Sequence, residues 1–370
     1  MTRVVFAGGG TGGHLYPGIA IARALVRERS GIEPFFIGAR RGIERDVLPK
    51  TEFPHLLLDL HPLYRTAVWN NWRTVAGAVT AWRSISRLDA EKRPAVVVGT
   101  GGYAAGLVLA HAVVKHIPIV QQAGDSFPGL TARAFSRYSR EIYLNFPEAA
   151  QVLKEHHPGS LVDTGAPIEP PPSPRPDRRA ARARWRFPAT GGHVLLVYGG
   201  SQGSLAINRA VSEWIGRGLP DGHFIIWGTG RGTYEQFKHL ESDRVRVRDY
   251  LSPVAEAYAA ADLAVARAGA MTTAELFAWG IPAILIPLPT AAADHQTTNA
   301  RTLERAGAAI HLPQSELSAE RLGSTVRRVL DSPGELERLA KATSARARPH
   351  AAEDIARRIL TLIDAQQSQP

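Results

Sequence analysis

A chain of 370 residues exceeds what one hydrophobic core of ordinary size supports, so the sequence predicts two domains. Its 44% apolar and 21% charged content is typical of a globular protein, and the lack of cysteine excludes disulfides, a thiolate nucleophile and a cysteine metal site. The formal charge of +10 favours anionic partners, but without zinc-finger spacing, an aromatic RNP signature or a basic zipper no nucleic acid is expected.

The first residues, MTRVVFAGGG, begin a strand pattern at once and lack the charged and apolar regions of a signal peptide. No run approaches the roughly 18 consecutive apolar residues that a membrane-spanning helix needs. We therefore expect a cytoplasmic protein that touches a bilayer without crossing it.

Short runs rich in Val, Ile, Leu and Phe alternate with amphipathic stretches, as expected for buried parallel strands joined by helices. The predicted strands are residues 4–7, 35–38, 56–60, 95–99, 117–121 and 141–144, and then 194–198, 223–228, 244–248, 262–266, 283–287 and 309–312. The repeated rhythm predicts an α/β fold with two Rossmann-like domains.

Proline and arginine mark the boundary between the two halves. Residues 165–176, GAPIEPPPSPRP, cannot form a regular helix, and residues 177–187, DRRAARARWRF, predict a solvated helix that opens the second domain. We divide the chain into an N-terminal domain (1–165), a linker with the opening helix (166–190), a C-terminal domain (191–348) and a C-terminal helix with its tail (349–370).

Three glycine-rich loops follow predicted strands: GGGTGGH at residues 8–14, GTGGY at 99–103 and GGSQGS at 199–204. Glycines let backbone N–H groups approach a ligand, and a helix N-terminus adds partial positive charge for a phosphate. The first loop alone also suits a dinucleotide, and GARRG after the second strand leaves an NADP-dependent dehydrogenase open; the loop at 99–103 alone could be a plain tight turn. A loop at the first strand of each half is more specific, because ligands of open sheets bind at the carboxyl ends of strands and both loops can face one cleft.

Two polar residues of the second half stand where strands meet helices. Glu275 either complements a helix dipole or accepts both hydroxyls of a ribose, whose two O–H groups match two carboxylate oxygens. Gln296 offers a donor and an acceptor to a sugar, and the nearby Asp294 is predicted as a helix N-cap.

The motifs GGGTGGH, GGYAAG, PGLTAR, GGSQGS, RAGAMTTAE and DHQTTNA, in this order and approximate spacing, resemble the MurG family over nearly the whole chain. The resemblance implies a GT-B glycosyltransferase, with two Rossmann-like domains facing across a cleft. It also implies inverting transfer of N-acetylglucosamine from UDP-N-acetylglucosamine to the muramyl sugar of undecaprenyl-linked lipid I, which gives lipid II for peptidoglycan. The N-terminal domain would then face the acceptor and the membrane, and the C-terminal domain would bind the UDP-sugar.

The resemblance also implies individual site residues. Thr11, Gly12 and Gly13 would contact the donor sugar, Ser201 its diphosphate and Gln296 the N-acetylglucosamine hydroxyls. The uridine would be held by Leu251 with Ala270, Met271, Thr272, Thr273, Ala274 and Glu275, and Glu275 would take the ribose. His14 resembles the family's proposed base, and Tyr103 matches another cleft residue.

Two positions depart from the family pattern. Asp125 replaces a donor-contacting Asn, which keeps an acceptor oxygen but loses the amide donor and adds negative charge. Glu169 replaces an anion-binding Arg, a costly change near a diphosphate unless Glu169 points away or another Arg compensates.

Sugar transfer from UDP requires stabilisation of the departing diphosphate and activation of the acceptor hydroxyl. Because no Asp-x-Asp clamp is present, we expect helix N-termini rather than a metal to stabilise the diphosphate, and we expect no cofactor. His14 is the predicted base, since a histidine accepts a proton near neutral pH, with Asp125 in reserve.

A stripe of apolar residues between residues 63 and 88 predicts an interfacial helix, with a helix packed on the sheet as the alternative. The stripe consists of Val68, Trp72, Val75, Val79 and Trp82, flanked by Arg65, Arg73, Arg83 and Arg87. An anionic cytoplasmic membrane surface would suit it, and the family resemblance implies a peripheral place on the inner membrane, with cell-wall synthesis proteins as partners. The competing functions are another GT-B transferase, a UDP-sugar epimerase and an inactive sugar-nucleotide-binding homologue.

Overall fold

The computed structural model describes the chain except residues 61–70, 156, 201, 369 and 370, and it describes only the backbone of residues 71–76 and 333. The α-helices are α1 (Gly12–Glu28), α2 (Glu44–Val47), α3 (Asn71–Glu91), α4 (Tyr103–Val114), α5 (Leu130–Phe135), α6 (Ala150–Leu153), α7 (Arg178–Arg184), α8 (Leu205–Gly216), α9 (Tyr234–Phe237), α10 (Val254–Ala260), α11 (Ala270–Ala278), α12 (His295–Arg305), α13 (Ala319–Leu330), α14 (Pro333–Ala345) and α15 (Ala351–Gln367). None of the helices described combines the length and apolar character that a membrane span requires.

The chain divides into two units, residues 1–169 with 350–370 and residues 170–349. The strands are β1 (Thr2–Gly8), β2 (Ile32–Ala39), β3 (His55–Leu58), β4 (Val96–Gly101), β5 (Ile119–Ala123), β6 (Ser139–Leu144) and β7 (Ser160–Asp163) in the first unit, and β8 (His193–Tyr198), β9 (His223–Gly228), β10 (Val245–Arg248), β11 (Leu263–Ala266), β12 (Ala283–Leu285) and β13 (Ala309–His311) in the second. The two sheets are parallel, with orders β3-β2-β1-β4-β5-β6-β7 and β10-β9-β8-β11-β12-β13. The prediction of two Rossmann-like α/β domains is confirmed.

The first sheet is buried on both faces, and the alternate side chains of β1 that face each side are apolar. Val4 and Phe6 pack with residues of α1 and α15, whereas Val5 and Ala7 pack with residues of α3 and α4. Helix α15 therefore completes the first unit from the far end of the chain. The ion pairs Arg29–Asp364 (2.7 Å) and Arg358–Glu141 (2.7 Å) tie it to α1 and β6.

The second sheet carries its own core, in which Trp214, Trp227 and the apolar face of α13 are buried. Helix α7 forms the Arg-rich opening of this domain and is capped by Asp177, whose Oδ1 accepts from the Ala180 N–H at 2.8 Å. The prediction that this helix is solvated is wrong for Arg182, which is buried and donates to Asp262 Oδ2 at 2.6 Å. Asp262 also accepts from the Val194 N–H at 2.7 Å, so the arginine anchors the helix to the sheet.

Candidate active site

Each sheet has one point where the strand order reverses, and the predicted loops lie there. In the first sheet β1 and β4 are neighbours whose successors run in opposite directions, and in the second sheet β8 and β11 are. Crevices at the carboxyl ends of such strand pairs are the usual ligand sites of open α/β sheets. The first crevice is bordered by residues 8–14 and 101–103, and the second by residues 199–200, 202–204 and 267–275.

His14 lies in the first turn of α1, where two contacts fix its ring. Its Nδ1 is 3.1 Å from the hydroxyl oxygen of Thr11, the N-cap residue of α1. The ring lies so close to Gly101 and Gly102 that a Cβ built on Gly101 would approach the ring Cδ2 to 2.7 Å. Both glycines have positive φ, +99° and +78°, which other residues rarely adopt. Thr11, His14 and the turn after β4 thus form one constellation.

Tyr103 begins α4 on the other side of the same crevice. Its ring covers Gly10, where a Cβ would come within 2.9 Å of the ring Cε1. Gly12 and Gly13 open α1 beside this contact, and Gly13 is exposed. The structure therefore brings Thr11, His14 and Tyr103 together around one glycine loop.

Glu44, which sequence analysis did not single out, supports this loop from below. It is fully buried (0% exposed), and its Oε1 accepts from the Gly10 N–H at 3.0 Å and the Ala39 N–H at 3.1 Å. A Cβ at Gly9, Gly38 or Gly42 would overlap the Glu44 side chain, so three glycines leave space for one carboxyl group. The concentration of glycine on two separate loops was the only signal in the sequence.

The second crevice is organised around Arg267, at the end of β11. Arg267 is 8% exposed, and its guanidinium donates to the Ser204 hydroxyl (2.7 Å), the Gln314 side chain (2.8 Å) and the Pro287 carbonyl (2.9 Å). Burial lowers the pKa of Arg267 from its usual value, but four hydrogen-bond acceptors satisfy the guanidinium. Ser204 in turn caps α8 by accepting from the Ile207 N–H. The predicted diphosphate residue Ser201 lies outside the described residues.

Helix α11 begins after Gly269 and carries the predicted uridine residues. Ala270, Met271, Thr272 and Ala274 are partly exposed, but Thr273 is buried and its hydroxyl donates to the Ala270 carbonyl at 3.0 Å. The side chain of Thr273 therefore serves the helix itself. Leu251 is partly exposed and packs over Gly228 at the end of β9.

Glu275 lies in the second turn of α11, and its Oε2 accepts from the Tyr258 hydroxyl at 2.8 Å. Burial raises the pKa of Glu275, and the hydrogen bond from Tyr258 lowers it in part. Glu275 does not lie in the first turn of α11, where a carboxylate complements the helix dipole, and its contact with a ribose stays a prediction.

Gln296 lies in the first turn of α12, and its Oε1 accepts from the Leu288 N–H at 3.0 Å. The amide oxygen is thus used within the protein, and a contact between Gln296 and a sugar stays a prediction. The N-cap prediction for Asp294 is wrong in its contact: Asp294 adopts a left-handed conformation (φ 52°), makes no side-chain cap to the backbone and accepts from the Thr297 hydroxyl at 2.6 Å.

Comparison with known proteins places the chain in a family. The glycosyltransferase family 28 N-terminal domain matches residues 4–144, and the family 28 C-terminal domain matches residues 194–358. A Salinibacter ruber protein named UDP-N-acetylglucosamine–N-acetylmuramyl-(pentapeptide) pyrophosphoryl-undecaprenol N-acetylglucosamine transferase is 40% identical, with 98% of this chain and 97% of the relative covered. A Moorella thermoacetica protein of the same name is 36% identical, with 98% and 99% covered.

The crystal structure of Acinetobacter baumannii MurG matches with a TM-score of 0.79 at 25% identity, covering 98% of this chain and 100% of that one. The chain belongs to the MurG family. Membership replaces the dinucleotide interpretation of the first loop. A UDP-N-acetylglucosamine 2-epimerase structure also matches, but at 13% identity and a TM-score of 0.62 it shows a shared fold only.

The two departures from the MurG pattern both lie in the first unit. Asp125 is partly buried in the loop after β5, next to Gly124, whose carbonyl accepts from the Asn145 side chain at 2.9 Å. The hydrogen bond to Glu52 raises the pKa of Arg23 on α1, and the charge of the exposed Glu169 adds to this in the same direction. The charge of Glu169 is thus partly offset by an arginine of its own domain.

Proposed function

We propose that the chain transfers N-acetylglucosamine from UDP-N-acetylglucosamine to lipid I, with inversion at the anomeric carbon, and so forms lipid II for peptidoglycan. The observation that carries this proposal is the similarity to transferases of that name, with 40% and 36% identity over 98% of the chain. By this reaction the chain serves cell-wall synthesis, and through it cell shape and division.

The second domain binds the donor in this proposal. Glu275 accepts the ribose hydroxyls, Leu251 and the start of α11 hold the uracil, and the Gln296 amide binds a sugar hydroxyl. The leaving diphosphate carries growing negative charge, which the N-terminus of α8 and the buried Arg267 stabilise. Backbone N–H groups of the glycine-rich loop after β8 serve the same purpose, and no step in this scheme requires a metal.

The first domain activates the acceptor. His14 takes the proton from the muramyl hydroxyl while the oxygen attacks the face of the sugar opposite UDP, and Thr11 keeps the ring in place through Nδ1. Gly12, Gly13 and Tyr103 shape the surroundings of the sugar, and Asp125 is the alternative base. General-base catalysis typically contributes about 10²–10⁴-fold, so removal of the base lowers turnover but not donor binding.

The test is a transfer assay with labelled UDP-N-acetylglucosamine, with and without lipid I, following lipid product and free UDP. We expect His14→Ala to lower turnover at least about tenfold with unchanged UDP affinity, and His239→Ala, an exposed histidine of the other domain, to behave as wild type. Near-normal turnover of His14→Ala would remove it as the base. Turnover of the donor without lipid I would indicate an epimerase, and donor binding without transfer an inactive homologue.

We also propose that α3 contacts the anionic cytoplasmic face of the inner membrane. Val79, Arg83 and Arg87 are spaced by four residues and all exposed, so an apolar side chain and two cations share one helix face. Trp82, which was predicted to belong to the apolar stripe of this helix, is partly buried, and it meets the His111 ring edge-on at 5.0 Å. Val68 lies outside the described residues, and the side chains of Trp72 and Val75 are not described.

Vesicle flotation tests the membrane proposal. With vesicles rich in anionic lipid we expect Val79→Asp to reduce binding, because it places a negative charge on the contacting face. The matched control is Val26→Asp, at an exposed valine of α1. Equal binding of wild type and both variants would assign α3 to packing alone.

A further inference from the structure

Three polar side chains of the second domain, Tyr198, Tyr258 and Glu275, form a chain of hydrogen bonds that ends on helix α11. The Tyr258 hydroxyl of α10 is 2.8 Å from Glu275 Oε2 and 3.3 Å from the Tyr198 hydroxyl at the end of β8. An ionised carboxylate only accepts, so Tyr258 donates to Glu275 and Tyr198 donates to Tyr258. Both hydrogen bonds therefore point toward the carboxylate.

The surroundings hold Tyr258 in this orientation. It is 4% exposed, and its ring packs against Trp279 (5.7 Å between centroids) and Tyr198 (6.4 Å). Burial raises the pKa of both phenols, so each keeps its proton at any physiological pH and remains a donor. A hydroxyl fixed by packing can fix the group to which it donates.

The arrangement leaves Oε1 and one acceptor position of Oε2 to a ligand. Tyr258 uses one acceptor position of Oε2, and the described residues bring no hydrogen-bond donor to Oε1. A ribose 2′,3′-diol carries two neighbouring donors, which fit Oε1 and the second acceptor position of Oε2. Because the side chain is already ordered, binding the diol does not have to restrict its rotamers again.

We infer that Tyr258 is a positioning residue that holds Glu275 for the ribose diol and thereby sets the preference for ribonucleotide donors over deoxyribonucleotide donors. Tyr198 donates to the Tyr258 hydroxyl and so supports the orientation of Tyr258. This inference rests on the proposed contact between Glu275 and the ribose.

The experiment measures binding of UDP and of 2′,3′-dideoxy-UDP to the purified full chain by calorimetry. We expect Tyr258→Phe, which keeps the ring, to weaken UDP binding about tenfold, about 1.4 kcal/mol, and to change dideoxy-UDP binding less than about twofold. Tyr198→Phe should shift UDP binding in the same direction by a smaller factor. Tyr234→Phe, at a partly buried tyrosine of the same domain, is the matched control and should change neither.

A double-mutant cycle separates positioning from shape. If Tyr258 acts through Glu275, Tyr258→Phe has no further effect on UDP binding in a Glu275→Ala background. Equal weakening of UDP and dideoxy-UDP by Tyr258→Phe, or an undiminished effect in that background, would overturn the inference and leave the ribose contact standing. If Glu275→Ala does not alter the ratio of the two affinities, the ribose contact itself fails, whereas the transfer assay with lipid I still decides the reaction. Thermal unfolding of each variant identifies any general loss of structure.

Discussion

Replacement of Glu44 by alanine tests whether a buried carboxyl group holds the first glycine loop in shape. In the wild type its Oε1 receives the N–H groups of Gly10, in the loop after β1, and Ala39, at the end of β2. Both groups would lose their acceptor inside the domain. Each buried donor left without a partner costs about 1–3 kcal/mol, so we expect a loss of about 2–6 kcal/mol from these two alone.

For a domain of this size that loss corresponds to a fall in melting temperature of about 4–24 °C. The loop that carries Thr11 and His14 would also relax, so kcat should fall further than the KM for the donor changes. Glu44→Gln keeps a carbonyl oxygen at the same reach and should retain most of the stability. The assays are thermal unfolding and steady-state transfer to lipid I.

The control is Glu52→Ala, which removes an exposed carboxylate of the same domain that pairs with Arg23 at 2.9 Å. Exposed pairs contribute about 0.2–1 kcal/mol, so this variant should melt close to the wild type. The reasoning is wrong if Glu44→Ala melts no lower than Glu52→Ala, or if Glu44→Gln is as unstable as Glu44→Ala.

Three further predictions concern backbone, ion pairs and pH. Gly102→Ala should lower stability and turnover, because φ is +78° and a Cβ would collide with the first glycine loop, whereas Gly106→Ala, inside α4 with open space around it, should raise the unfolding free energy by about 0.5–1 kcal/mol. Asp262→Ala leaves the guanidinium of Arg182 buried and unpaired, their side chains being 9% and 6% exposed, and should cost about 3–5 kcal/mol in urea unfolding. Burial raises the pKa of Glu275, so the wild type should bind uridine less tightly as pH falls through that pKa, and its unfolding free energy relative to Glu275→Gln should decline as pH rises from the usual pKa of a glutamate toward the raised one. A Glu275→Gln variant with the same pH dependence of uridine binding as the wild type would refute the last prediction.

The strands were predictable because both faces of each sheet are covered, which makes central strands continuous apolar runs. β7, Ser160–Asp163, was not predicted. It is an edge strand of four residues, with half-buried apolar residues between exposed polar ends, so it lacks the continuous apolar run of a central strand. The solvated helix predicted from an Arg-rich segment failed at Arg182, because its partner Asp262 is 80 residues away.

The glycine loops of the site were predictable because positive φ and close backbone approach select glycine and so leave a local pattern. The groups that hold the loops leave none. Glu44 bonds a residue 34 positions away, and Tyr258 bonds one 17 positions away. In the sequence Glu44 is one more acidic residue in a helical first turn, and only the tertiary structure shows that it is buried.

The side chains that hold the two glycine loops are an acceptor, Glu44, in the first domain and a donor, Arg267, in the second. This difference supports different binding roles for the two domains. In the first domain Glu44 accepts from the Gly10 N–H, so this N–H group of the loop is not available to an anion. In the second domain Arg267 donates to the Ser204 hydroxyl and to the backbone carbonyls of Ile286 and Pro287, so it holds this loop through an acceptor rather than through a loop N–H group. A buried guanidinium also favours negative charge nearby, and a low dielectric strengthens that effect. This contrast supports the proposal that the diphosphate of the donor binds in the second domain.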